Sequence, residues 1–233
     1  LTPNPRATAR ADRQRVEGYL ERHGYLLVSD PIWPSVVSVI TGRPTRGSLW
    51  AHPAIHRLFA LEEFLDHRGV IFSVKLLGGK STWVHRLRWG ELVGAVNVPD
   101  PEQERGLTET ARRLWAQVRN LGSVRLDDLA RSGPQALGDR LAARDLERRL
   151  LVCSSSEHTP EGKHELRLTS WEQLLRERHL PRPLGSAASA RARIADSVFE
   201  ALQDPRGVRL LPWDPSGRWR APRGSLPLPP KSR

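Results

Sequence analysis

The sequence predicts an α+β fold, mostly helical, arranged as two similarly organised units followed by a basic, Pro-rich C-terminal tail. Three observations predict it. Apolar residues recur at helical spacing through most of the chain, and the period switches to two over short stretches only. The same order of elements occurs on both sides of Val98-Pro99-Asp100-Pro101, a linker by composition. Residues 206–233 hold six prolines and seven basic residues against the single acid Asp214, so this stretch reads as an extended basic tail, part of which Trp213 and Trp219 are expected to dock on the body. The expected segments are therefore 8–97, 102–180, a helix over 186–205, and the tail 206–233.

The first unit opens with a helix over 8–23, ended by Gly24 as C-cap. A short apolar piece follows at 25–29. Pro34 suits the first position of a helix that runs to Ile40 and stops at Gly42. A third helix spans 53–67, with Ile55, Leu58, Phe59, Leu61 and Leu65 as its core stripe. Val70, Phe72, Val74 and Leu76 then alternate as a strand, Gly78-Gly79 turns, and 81–85 returns. A helix over 89–97 closes the unit. The second unit repeats the order. It has a helix over 107–120 capped by Thr108, an extended piece at 124–126, a short helix at 126–130 and a longer helix ending at Arg149. A strand begins at 150–152, a turn falls at 159–162, and 163–168 pairs back. Ser170 caps a closing helix through Arg178. Ala190, Ile194, Val198 and Leu202 form an amphipathic stripe that fits either a dimerisation helix or packing on the chain's own body.

Charge bounds the function. Thirty-seven basic residues face 26 acids, for a formal +11, and only Lys75, Lys80, Lys163 and Lys231 are lysines. An excess of this size points first to a nucleic-acid partner. Cys153 is the only cysteine, which excludes an internal disulfide framework. No apolar run reaches the length of a membrane span, so no membrane partner is expected. The sequence opens on a polar, Arg-rich stretch, not an apolar block, and a cytoplasmic protein of bacterial type is the default expectation.

The run Ala143-Arg-Asp-Leu-Glu-Arg-Arg-Leu-Leu-Val152 resembles the end of a winged-helix recognition helix entering its wing. Glu161-Gly162-Lys163 would tip that wing. The resemblance covers about 107–180, and the first unit shares its element order. Leu150 stands where such domains usually carry a glycine. The resemblance implies tandem winged-helix-like domains and binding of double-stranded DNA, with the third helix in the major groove and the wing on the backbone.

Arg140, Arg144 and Arg148 recur every four residues and share one side of that third helix. Ala142, Leu146 and Leu150 lie opposite, as core. Leu137 and Leu141 would fall on the arginine side of a continuous helix, so a break at Gly138-Asp139 is expected, with Asp139 as N-cap. Arginine suits the task because its fork can meet a guanine edge or a phosphate. Lys163 and Arg167 on the second hairpin, and Lys75, Lys80, Arg86 and Arg88 around the first, are the candidate phosphate contacts. The alternative is a solvated, salt-bridged surface.

Signals for chemistry are weak. His52, His56, Glu63 and His67 share a helix side, but its ends lie some ~20 Å apart. Cys153, His158 and His164 offer too few ligands, so neither a metal nor a cofactor is expected. Gly78-Gly79-Lys80-Ser81 lacks the first glycine of a P-loop. Some bacterial DNA glycosylases are built from tandem winged helices, which keeps a DNA-repair enzyme as an alternative. Their Gln-x-Gln or Gln-x-Asp motif has no match here, so no catalytic residue is carried over. A Trp-lined pocket holding a carboxylate between the units would favour that reading. A protein-interaction module is the second alternative.

Overall fold

The computed structural model describes residues 5–129, 134–158 and 164–214. It is α+β and mostly helical, with two three-stranded antiparallel sheets. The first unit comprises α1 (Pro5–His23), β1 (Tyr25–Leu27), α2 (Val36–Thr41), α3 (Ile55–His67), β2 (Ile71–Leu77) and β3 (Lys80–His85). After α4 (Trp89–Val96) and the short α5 (Pro101–Glu104), the second unit repeats the order. It has α6 (Glu109–Leu121), β4 (Ser123–Arg125), α7 (Leu126–Leu129), α8 (Pro134–Arg148), β5 (Cys153–His158) and β6 (His164–Thr169). The chain then runs through α9 (Trp171–Glu177), α10 (Ala187–Leu202) and α11 (Pro205–Val208). The sheets have the same strand order, β1-β3-β2 and β4-β6-β5, with the last strand of each unit in the middle.

Local chemistry sets the boundaries. Ser35 caps α2 by accepting from the Ser38 N–H, and the Ser38 hydroxyl answers the Ser35 N–H, so both end donors are satisfied. Pro34 therefore precedes the cap, two positions before the first helical residue, Val36. Thr108 and Ser170 cap α6 and α9 by accepting from Ala111 and Gln173. Gly78 and Gly79 both take positive φ, 61° and 79°, in the turn between β2 and β3. Phe59 is not core: it is half exposed and lies against Trp50.

Each unit has its own core. Leu20, Leu26, Leu58, Leu65, Ile71 and Trp83 anchor the first, and Leu114, Val118, Leu126, Leu146 and Leu168 the second. A third cluster belongs to neither. Leu27, Phe72, Leu76 and Val84 from the first sheet meet Leu92 and Val96 of α4, Leu150 and Trp171 of the second unit, and Ile194 and Val198 of α10. Gly94 lets α10 approach α4 closely, because a Cβ there would stand 3.0 Å from that of Ala190. The amphipathic face of α10 is thus buried on the chain's own body, which removes the dimerisation reading. The linker is fixed as well: Arg191 of α10 binds Asp100 at 3.1 Å and also donates to the Val98 carbonyl. The tail begins later than composition suggests. Residues 206–214 fold, and Trp213 is buried in the shared cluster with the Arg191 guanidinium 5.9 Å from its ring. Residues 215–233, with Trp219, lie outside the described residues.

Leu150 explains how the second unit joins this cluster. The strand expected from 150 begins at Cys153, because Leu150 takes φ 53° and turns the chain out of α8. This left-handed conformation is the one glycine adopts readily, and it costs other residues about 1–2 kcal/mol. The side chain is buried and the carbonyl accepts the Trp171 indole N–H at 2.7 Å. Burial of a leucine, worth about 1.5–3 kcal/mol, outweighs the strain. Leu150→Gly and Leu150→Ala should both destabilise the protein. The glycine variant should be the more stable by about 1 kcal/mol in urea unfolding, the reverse of the usual order. Alanine coming out ahead would show that the positive φ carries no strain.

Candidate functional site

The α8 helix runs unbroken through Gly138 and Asp139. The expected break is absent, because Asp139 is buried and faces Arg113 at 3.6 Å instead of capping. Ala142, Ala143 and Leu146 are buried under it. The opposite face carries Arg140, Arg144 and Arg148, all exposed, together with Leu137 at 63% and Leu141 at 57% exposure. Continuity of the helix puts the two leucines among the arginines. Arg140 stands 3.7 Å from the half-exposed Asp127, a loose contact in water. Arg144 and Arg148 have no acidic partner among the described residues. The third helix of the first unit presents a different surface. His56, Phe59, Ala60, Glu63 and His67 are exposed on α3, and its one central arginine, Arg57, is engaged with buried Asp12 at 2.5 Å.

Arg148 sits apart from the other two. The turn of the first hairpin abuts it, with Gly79 placed so that a Cβ would meet the Arg148 Cβ at 3.4 Å. The Gly78 N–H donates to the Leu210 carbonyl at 2.9 Å. The first hairpin is therefore docked on the molecule's own body.

Most of the other expected phosphate ligands are engaged within the chain. Lys75 donates to the Ser81 hydroxyl at 2.8 Å. Lys80 binds Asp30, whose side chain is fully buried, at 2.5 Å and lies 5.2 Å from the Trp33 ring centre. Burial works against the Asp30 carboxylate, but Lys80 and the N–H groups of Trp33 and Ile32 outweigh it and hold its pKa down. Arg88 bonds Glu91 and lies across Gly24, where a Cβ would come within 2.6 Å of its Cγ. Arg167 bridges Ser123 and Glu177 across the second sheet. All four make side-chain contacts within the chain, and three of them pair with a carboxylate. Arg86 is exposed, but it lies at the base of the first hairpin and not at its rim. Lys163 and the rest of the expected wing tip, including Glu161 and Gly162, lie outside the described residues. Sequence reasoning could not separate these cations, because ionic partners such as Asp30 lie up to 50 residues away.

A groove of about 720 Å³ runs between α3 and β2 of the first unit and β5, β6 and α9 of the second. Glu62, Glu63, Asp66 and Glu147 reach it. Arg178 closes one end by binding both oxygens of Asp66 at 3.1 Å. Its aromatic lining is Phe59 and Phe72, with no tryptophan. The Glu62 carboxyl accepts the Trp83 indole N–H at 3.1 Å, and burial raises its pKa against the lowering bonds from Trp83 and Ser73. Glu147 accepts from the Ser154 hydroxyl. Burial, with Glu147 nearby, pushes the Cys153 thiol well up, so it is not a ready nucleophile. Cys153 pairs with Thr169 at one end of its hairpin and His158 with His164 at the other, so the three do not converge. No described helix is long and apolar enough to cross a membrane. Comparisons with protein-family models, with characterised proteins and with solved structures give no match.

Lys80→Ala should lower stability by about 1–2 kcal/mol, less than for a fully buried pair because Lys80 is partly exposed, and should leave duplex affinity unchanged. Weaker duplex binding with stability intact would return Lys80 to a nucleic-acid surface. For Glu62 the folded pKa lies above the unfolded value of 4.5. Its contribution is complete below that value and is lost as pH rises through the folded pKa. Glu62→Gln should therefore gain stability relative to the parent toward neutral pH, with the two converging near pH 4. Parallel urea-unfolding curves across pH 4–8 would show that the groove does not perturb this carboxyl.

Proposed function

We propose that the chain binds double-stranded DNA through its second unit, with α8 in the major groove. The observation that carries this reading is the exposed face of α8, where Arg140 and Arg144 alternate with Leu137 and Leu141 while the other face is buried. Arginine forks can meet guanine edges or phosphates, and leucine methyls suit the thymine methyl. The order of helices and hairpins, and the placing of the last strand in the middle of each sheet, support a tandem winged-helix reading of the two units. In this reading only the second unit meets the groove, and the first hairpin braces it. The net charge of +11 supplies sequence-independent attraction. A bacterial protein of this kind would work at the nucleoid.

The repair-enzyme alternative draws support from the groove, which places carboxylates between the units. It lacks the tryptophan lining expected of such a site, and Glu62 is tied to Trp83. Duplex binding is therefore the stronger reading.

The test is binding to a labelled random duplex across a salt series. Arg140→Ala/Arg144→Ala should weaken binding and reduce the slope of log K against log salt by about 1–2, close to 0.9 for each phosphate that is no longer neutralised. A smaller slope change with relaxed sequence preference would assign the arginines to base edges. An unchanged affinity would overturn the reading and leave the leucine-bearing face to a protein partner.

A further inference from the structure

Where α8 ends, a pocket of about 350 Å³ opens at the joint of the two units. Four arginines line it: Arg105, Arg148, Arg149 and Arg209. Among the described residues two acids stand with them, Glu102 and Asp145. Glu102 pairs with Arg105 at 3.0 Å, and Asp145 with Arg149 at 2.8 Å. Arg149 is held further by the carbonyls of Gln103 and Arg105, at 3.0 and 2.7 Å, so it is part of the wall. Arg148 and Arg209 are exposed and have no acidic partner among the described residues. They come from separate parts of the chain, and the Gly78–Leu210 hydrogen bond holds the first hairpin's turn between them.

Two unneutralised guanidinium groups facing one small pocket repel each other until an anion enters. The negative end of the α8 dipole gives an anion no help here, so the side chains must supply the attraction. Guanidinium forks match the paired oxygens of a phosphate better than they match a halide. The volume is at the small end of ligand pockets, which fits a phosphate group and not a large apolar ligand. We propose that this pocket binds a phosphate group, with Arg148 and Arg209 as its ligands and Arg149 and Arg105 as the positive wall. The group belongs either to a DNA backbone or to a free phosphate-bearing small molecule. The site lies apart from the Leu137–Arg144 stretch and does not depend on the duplex reading.

The experiment uses the full chain, Arg148→Ala/Arg209→Ala and Arg140→Ala/Arg144→Ala. Thermal unfolding is followed in sodium phosphate and in sodium chloride at matched ionic strength. Binding to a random duplex is then followed across a salt series. For a free ligand, phosphate at several times its Kd should raise the melting temperature of the parent by about 2–4 °C and leave the Arg148/Arg209 variant unmoved. For a backbone phosphate, phosphate ion should have no effect, while that variant lowers the salt slope by about 1–2 independently of Arg140 and Arg144. Either result supports the site. Phosphate stabilisation in a chain that ignores duplex would sink the DNA reading alone. A double variant that matches the parent in both arms would overturn the pocket. Because both side chains are exposed, circular dichroism of the variant should match the parent. An unfolded variant is replaced by Arg148→Lys/Arg209→Lys, which keeps the charge and removes the fork.

Discussion

The rest of this structure depends on one buried apolar cluster, to which the first sheet, α4, α10 and the second unit all contribute. Ile194 and Val198 of α10 share this cluster with residues of the first sheet, with α4 and with Leu150 and Trp171. Neither unit completes its buried surface without the other, since Phe72 of the first sheet stacks edge-on to Trp171 at 6.3 Å. Two units of similar element order thereby become one body. The strained backbone at Leu150 is a consequence, since only a left-handed turn there puts that side chain into the shared cluster while the next residues start a strand.

Buried carboxylates engage several of the basic residues. A long basic side chain near a buried carboxylate is drawn into an ion pair, because an unanswered buried charge costs several kcal/mol. Asp12 engages Arg15 and Arg57, Asp30 engages Lys80, and Glu91 engages Arg88. Net charge is therefore a poor map of where a polyanion would bind. Exposed arginines without an acidic partner are spread over the described residues, Arg43, Arg46 and Arg86 among them, and the α8 face is distinguished by their spacing on one helix.

Much of the fold was legible in the sequence because its signals were local. Gly24, Thr108, Ser170 and the Gly78-Gly79 turn each act within a few residues, and the structure uses them as read. The helical stripes of α6 and α10 were equally plain. What escaped needed partners distant in sequence. Docking of part of the tail through Trp213 was legible, but not where, since nothing near it in sequence shows that Arg191 and the shared cluster receive it. Asp139 looked like a cap, since its partner Arg113 lies on another helix. The α8 arginines were legible as a face by their four-residue spacing, but not the separation of Arg148 from the rest, which depends on the docked hairpin.

That separation divides the exposed face of α8 into two parts. Eight residues between Arg140 and Arg148 span ~12 Å along the axis, comparable to the width of a major groove. The amino-terminal part offers side chains to a surface, as recognition helices do. The carboxy-terminal part is set into the joint between the units, against a hairpin turn and the 209–212 segment. A phosphate held there would touch both units and the end of the helix together. Because the shared core leaves these parts little freedom to move separately, anchoring one end of α8 would fix the register of the other. A surface arginine on a lone helix could weaken or strengthen binding, but it could not set register in this way. The cluster that joins the units is thus also what gives the exposed face of α8 a defined place on the molecule.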